Sequence, residues 1–184
     1  MQAVSGASQL LEERCHLRLL WQGVEGLPLE SPWCHLPMAM DERSKALQSL
    51  AARAKGRHRQ ELALYLLPSR ADERLSWTIV DASRLSGCDS PQDTRFLARF
   101  GNIFFTDLTW MQGAPKATDT GPSLASLLVA HEVLHALTQR AHPTGAPRGS
   151  VLADHVADIG PLIDDELCAC ARQSPYVSPP KVKR

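Results

Sequence analysis

No stretch of this 184-residue sequence approaches the roughly 20 consecutive apolar residues of a membrane-spanning helix, which excludes that architecture. Net charge is missing as well. Twenty basic residues balance twenty acidic ones, without the basic bias of an electrostatic nucleic-acid binder, so no nucleic-acid partner is expected. The basic pieces, residues 53–59 and 181–184, read as solvated surface and a frayed end. Residues 1–6 have neither the charged n-region nor the apolar core of a signal peptide. The expectation is a chain secreted or delivered outside the producing cytoplasm, a mature or excised segment whose targeting region lies outside it, with a cytosolic protein as the alternative. None of the five cysteines (Cys15, Cys34, Cys88, Cys168, Cys170) has C-x-x-C spacing, so none is assigned to a metal. They allow two disulfides with one thiol left over, and their connectivity cannot be deduced. Internal repeats are absent too.

Glycine and proline are also absent from residues 123–141, and here the absence is informative. Leu and Ala dominate the run, which predicts a helix with Ser123 as its N-cap after Gly121-Pro122. Within it stands His131-Glu132-Val133-Leu134-His135. Side chains four apart on a helix lie one above the other, so His131 and His135 can point two imidazoles at one metal ion. Glu132, one position round, can reach a water on that metal. This is the H-E-x-x-H arrangement of zinc hydrolases, two ligands and a general base on one helix. Leu127, Leu128, Val129, Ala130, Val133, Leu134, Ala136 and Leu137 make the helix apolar almost all round, which predicts burial. Buried His and Glu are costly without partners, and a metal supplies one.

In chain order, residues 7–15 read as a short amphipathic helix and 16–21, by their alternation, as a strand. Residues 23–40 form an irregular connection, and 41–55 a second helix capped by Asp41 and ended by Gly56. Residues 61–67 and 75–80 follow as strands, then a loop at 83–94 and the clearest strand at 102–110. A polar loop at 114–122 enters the His131 helix, another loop spans 143–150, and a last helix spans 163–172, with Asp164 and Asp165 in its first turn. The 43% hydrophobic content suits one globular domain. The expected class is α+β: a single domain at residues 1–175 with a small twisted sheet, an active-site helix and a C-terminal helix, followed by a flexible tail at 176–184.

A catalytic zinc usually keeps three protein ligands and one open position. His142 ranks first for the third. It lies seven residues beyond His135, about 10 Å along a straight helix, so the helix must stop near Gln139 or Arg140 and turn back. Glu166 ranks second and His155 third, with Asp154, Asp158, Asp164 and Asp165 as further competitors.

The segment 131–172 resembles the metzincin clan of zinc peptidases, in a bacterial variant with a longer gap before the third histidine. His131, Glu132, His135 and His142 match its His-Glu-x-x-His-x-x-x-x-x-x-His spacing. Thr138 stands at the usual glycine position and Ala141 at the usual third-ligand position of the better-known motif. The resemblance implies a zincin-like fold with a turn beneath the metal at residues 150–154, where Leu152 occupies the place of a methionine. It further implies that Asn102, Ile103, Phe104, Phe105 and Thr106 form an edge strand pairing with an extended peptide substrate.

The expected activity is zinc-dependent endopeptidase, with one catalytic Zn2+ and Glu132 as general base. His155, Arg148 and Tyr176 are candidates for oxyanion stabilisation. Two other readings stand beside it. One is a toxin or effector domain of a larger secreted bacterial protein with the same chemistry, and the other a non-catalytic zinc-binding interaction module. The expected partner is a protein or peptide substrate, with an inhibitor, propeptide or immunity partner as the means of control.

Overall fold

The computed structural model describes residues 2–20, 22–23, 61–67, 76–78, 102–106, 121–140, 142–143 and 145–177. The irregular connection at 24–40, the helix at 41–55 and the loops at 83–94 and 114–120 fall outside them. The described elements are α1 (Gln2–Cys15), β1 (Ala63–Leu67), β2 (Ser76–Thr78), β3 (Asn102–Thr106), α2 (Leu124–Thr138), a 3-10 turn (Val156–Asp158) and α3 (Asp165–Arg172).

Helix α2 is the axis of the molecule. Every residue from Ala125 to Thr138 is buried, and α1, α3, β2 and β3 all pack against it. An all-round apolar helix is stable only when enclosed. Each fully buried Leu or Val side chain contributes roughly 2 kcal/mol of apolar transfer. Its start is marked as expected: the Ser123 hydroxyl accepts the Ser126 amide at 3.2 Å, a cap worth about 1 kcal/mol.

The α1–α2 contact is close because one residue has no side chain. A Cβ on Gly6 would lie 2.9 Å from the Ser126 Cβ and closer still to its hydroxyl, so a larger residue forces the helices apart. Helix α1 ends at His16, in the left-handed region (φ 57°). Residues 17–20 then follow without regular secondary structure and join no ladder, which corrects the strand expected at 16–21. Their alternation reflects packing on α1: Leu17 is buried, and the Leu19 amide donates to the Ser8 hydroxyl at 3.0 Å.

The described sheet has the order β1-β3-β2, with β3 parallel to β1 and antiparallel to β2. Strand β3 therefore has a neighbour on each side. This overturns the assignment of Asn102, Ile103, Phe104, Phe105 and Thr106 as a substrate-binding edge, because their main-chain groups face other strands of the same sheet. Burial suits that central position: Ile103 and Phe105 are fully buried.

Helix α3 is capped by the Asp164 carboxylate, which accepts the Leu167 amide at 2.6 Å. A disulfide joins Cys15 at the end of α1 to Cys168 in α3, across 153 residues of sequence, and the Arg172 guanidinium donates to the Cys15 carbonyl at 3.1 Å. Cys170 is disulfide-bonded too. Residues 174–177, beyond α3, stay on the body. Ser174 is buried, and Tyr176 and Val177 pack against the core, so the expected tail does not begin at residue 176. Among the described residues, no helix is long and apolar enough to cross a membrane.

Candidate metal centre

The centre is built from the second half of α2 and the chain that follows. His131 and His135, one turn apart, face the same way, and their Nε2 atoms lie 3.0 Å apart. For His142 to join them the helix must stop within a few residues, and the structure shows how it does so without glycine. Gln139 adopts the left-handed conformation (φ 57°, ψ 18°), with its amide bonded to the His135 carbonyl at 2.8 Å. Side chains hold the turn. Thr138 Oγ1 donates to the Leu134 carbonyl (2.7 Å) and accepts the Arg140 amide (3.3 Å), while Gln139 Nε2 donates to the Ala136 carbonyl (2.8 Å). The chain reverses, and His142 Nε2 arrives 3.1 Å from His131 Nε2.

The hydrogen bonds on the other ring nitrogens decide what these contacts are. His131 Nδ1 is 2.6 Å from the Val151 carbonyl, and His135 Nδ1 is 2.5 Å from the Arg140 carbonyl. A carbonyl can only accept, so each Nδ1 carries the proton and, in a neutral ring, each Nε2 is a bare lone pair. Burial keeps these rings neutral. Desolvation lowers His131 to about 4, against the bond to Val151, and lowers His135 to about 3, with the nearby His131 adding to the shift. His142 Nδ1 faces Asp154 Oδ1 at 3.1 Å, a contact that a proton on Nδ1 satisfies.

The bare Nε2 atoms of His131 and His135, 3.0 Å apart, repel one another, and a cation placed between them and His142 Nε2 removes that cost. Tetrahedral coordination at 2.0–2.1 Å puts ligand nitrogens about 3.3 Å apart, close to the separations here. The three histidines could hold a metal ion, their ligand atoms all lying within 4.8 Å of one another. His131 and His135 are buried and His142 is the exposed member. Glu132, between the first two on α2, is buried at 3% exposure and is not part of the group.

The other candidates lie elsewhere. Glu166 is exposed and forms an ion pair with Arg140 at 2.7 Å, which removes it from the role of third ligand. His155 is exposed and outside the histidine group. Arg148 pairs with Asp158 at 3.1 Å, and Tyr176 packs on the core. Asp154, one of the competing ligands by sequence, acts on the far side of His142 instead. The Val151 and Arg140 carbonyls had no signal in the sequence, being main-chain groups positioned by the fold.

The turn at 150–154 reaches the centre through a backbone crossing. Ser150 pairs with Leu162 in a parallel bridge. Gly149 (φ +88°) and Gly160 meet so closely that a Cβ on Gly160 would stand 2.5 Å from the Gly149 oxygen. Bonds from the Val151 amide to the Leu162 carbonyl (2.8 Å) and from the Gly149 amide to the Asp158 carbonyl (2.8 Å) fix the crossing. Val151 and Leu152 are buried, and the Val151 carbonyl faces His131.

The depressed histidines make the metal-free fold sensitive to acid. Unfolded, both rings return to about 6.5, so between roughly pH 6.5 and 4 the unfolded chain binds more protons and stability rises with pH. The metal-free protein is expected to lose about 2 kcal/mol per ring between pH 7 and pH 5, read as a lower urea midpoint. An unchanged midpoint would mean the rings are not held neutral.

Comparisons of the chain with protein-family models, curated proteins and solved structures give no match. What can be said of its class thus rests on the site: a three-histidine group, on a buried helix and the loop after it, that could hold a metal ion.

Proposed function

We propose that this chain is a zinc-dependent endopeptidase of metzincin-like type, and the observation that carries the proposal is the convergence of the His131, His135 and His142 ring nitrogens, with Glu132 next to His131 on the same buried helix. Imidazole nitrogens suit zinc, and three protein ligands leave a position open, as catalytic rather than closed structural sites do. A zinc ion held by His131, His135 and His142 supplies a Lewis acid and lowers the pKa of water towards ~7. The rest of the chemistry belongs to the chain. Glu132, carried between two ligands on a helix that cannot shift without breaking the core, takes the proton of the attacking water and passes it to the leaving amine. A purely structural zinc site has no use for that carboxylate.

The turn at residues 150–154, seated against His131, supports the metzincin-like reading, with buried Leu152 providing an apolar residue where that family has methionine. The Cys15–Cys168 disulfide supports a protein working outside a reducing cytoplasm. Zinc-loaded protein is expected to cleave an unfolded protein substrate, to stop when a chelator is added, and to resume when zinc is restored. Cleavage indifferent to the chelator, or none by zinc-loaded protein, would refute this function.

A further inference from the structure

We propose that Asp154 is a positioning residue for His142, selecting the ring orientation that makes it the third ligand; this rests on the metal-binding reading above. The three histidines are not held alike. His131 and His135 stand on a buried helix, with their Nδ1 protons on backbone carbonyls that cannot turn away. His142 lies past the helix end, its side chain is 38% exposed, and its Nδ1 partner is a side chain, Asp154 Oδ1 at 3.1 Å. Solvent offers an exposed imidazole either tautomer and several orientations. A carboxylate facing Nδ1 favours the form with the proton there and the lone pair on Nε2.

Asp154 can do this because its backbone is anchored although its carboxylate is exposed. The turn that carries it is closed by the Ala153 amide on the Ser150 carbonyl (3.2 Å) and the Leu152 amide on the Ser150 hydroxyl (3.3 Å), with Val151 and Leu152 buried. One turn therefore orients two ligands from different segments, His131 through the Val151 carbonyl and His142 through the Asp154 carboxylate. A metal arriving with His131 and His135 preset needs only His142 ordered, and Asp154 bears that cost before binding.

The test is zinc affinity by chelator competition for wild type, Asp154→Ala, Asp154→Asn and His142→Ala, with nitrogen NMR of the His142 ring in the zinc-free proteins. Asp154→Ala is expected to weaken zinc binding about 10- to 100-fold, the usual effect of losing such a partner, and to shift the His142 tautomer towards Nε2–H. Asp154→Asn, whose amide oxygen still accepts the Nδ1 proton, is expected to fall between Asp154→Ala and wild type in both readouts. Tight zinc binding by wild type with equal affinity and an unchanged tautomer in Asp154→Ala would overturn this role alone. No zinc binding by wild type would overturn it together with the metal reading.

Discussion

Glu132→Gln is expected to lower the rate of peptide-bond cleavage by roughly 10²- to 10⁴-fold, the contribution of a positioned general base, while zinc content and Tm stay near wild type. The substitution keeps the shape of a side chain that is 3% exposed in the centre of α2, so packing of the helix is conserved. It leaves intact the group that could hold a metal ion, His131, His135 and His142. Measuring kcat on an unfolded protein substrate beside zinc content separates the two roles. Loss of zinc in the variant would make Glu132 part of the binding site, and full activity would leave the proposed mechanism without its base.

Removing the Cys15–Cys168 bridge, as the Cys15→Ala/Cys168→Ala double variant, is expected to be the most damaging change away from the metal. The bridge joins residues 153 apart in sequence; because Cys170 carries a second bridge that already restrains the chain beside it, the loss is set at the about 2–5 kcal/mol typical of native bridges. At roughly 2–4 °C per kcal/mol for a chain of this size, Tm should fall by about 10 °C. The effect should reach the site, because α3 carries Glu166, whose ion pair holds Arg140, whose carbonyl orients His135. A Tm equal to wild type would mean that packing of α1 and α3 on α2 suffices without the bridge.

What could be read from the sequence follows the physics of each element. Helix α2 was legible because its spacing, its Ser123 cap and its lack of glycine and proline all point the same way, and its apolar circumference implied the burial observed. The end of that helix was legible only as a necessity: His142 could not reach His135 otherwise. The device that stops it, Gln139 in a left-handed conformation braced by Thr138, is not a pattern that helix-stop residues announce. The position of β3 was misread because a strand's own residues do not name its neighbours. The segment 16–20 was misread because alternation records one-sided burial, which packing on a helix produces as well as a sheet does. The three ligands could be named from side-chain chemistry, whereas the Val151 and Arg140 carbonyls that fix two of their tautomers could not.

Three histidine nitrogens that converge to hold one zinc ion should load and retain that ion in the purified protein. Elemental analysis of purified protein, wild type beside His142→Ala, after equilibration with zinc and removal of the free metal, tests it most directly. About one zinc per wild-type chain is expected, with a weakened, substoichiometric content in the variant. Absence of zinc from both would contradict it, since the three ring nitrogens would then face one another with nothing to bind.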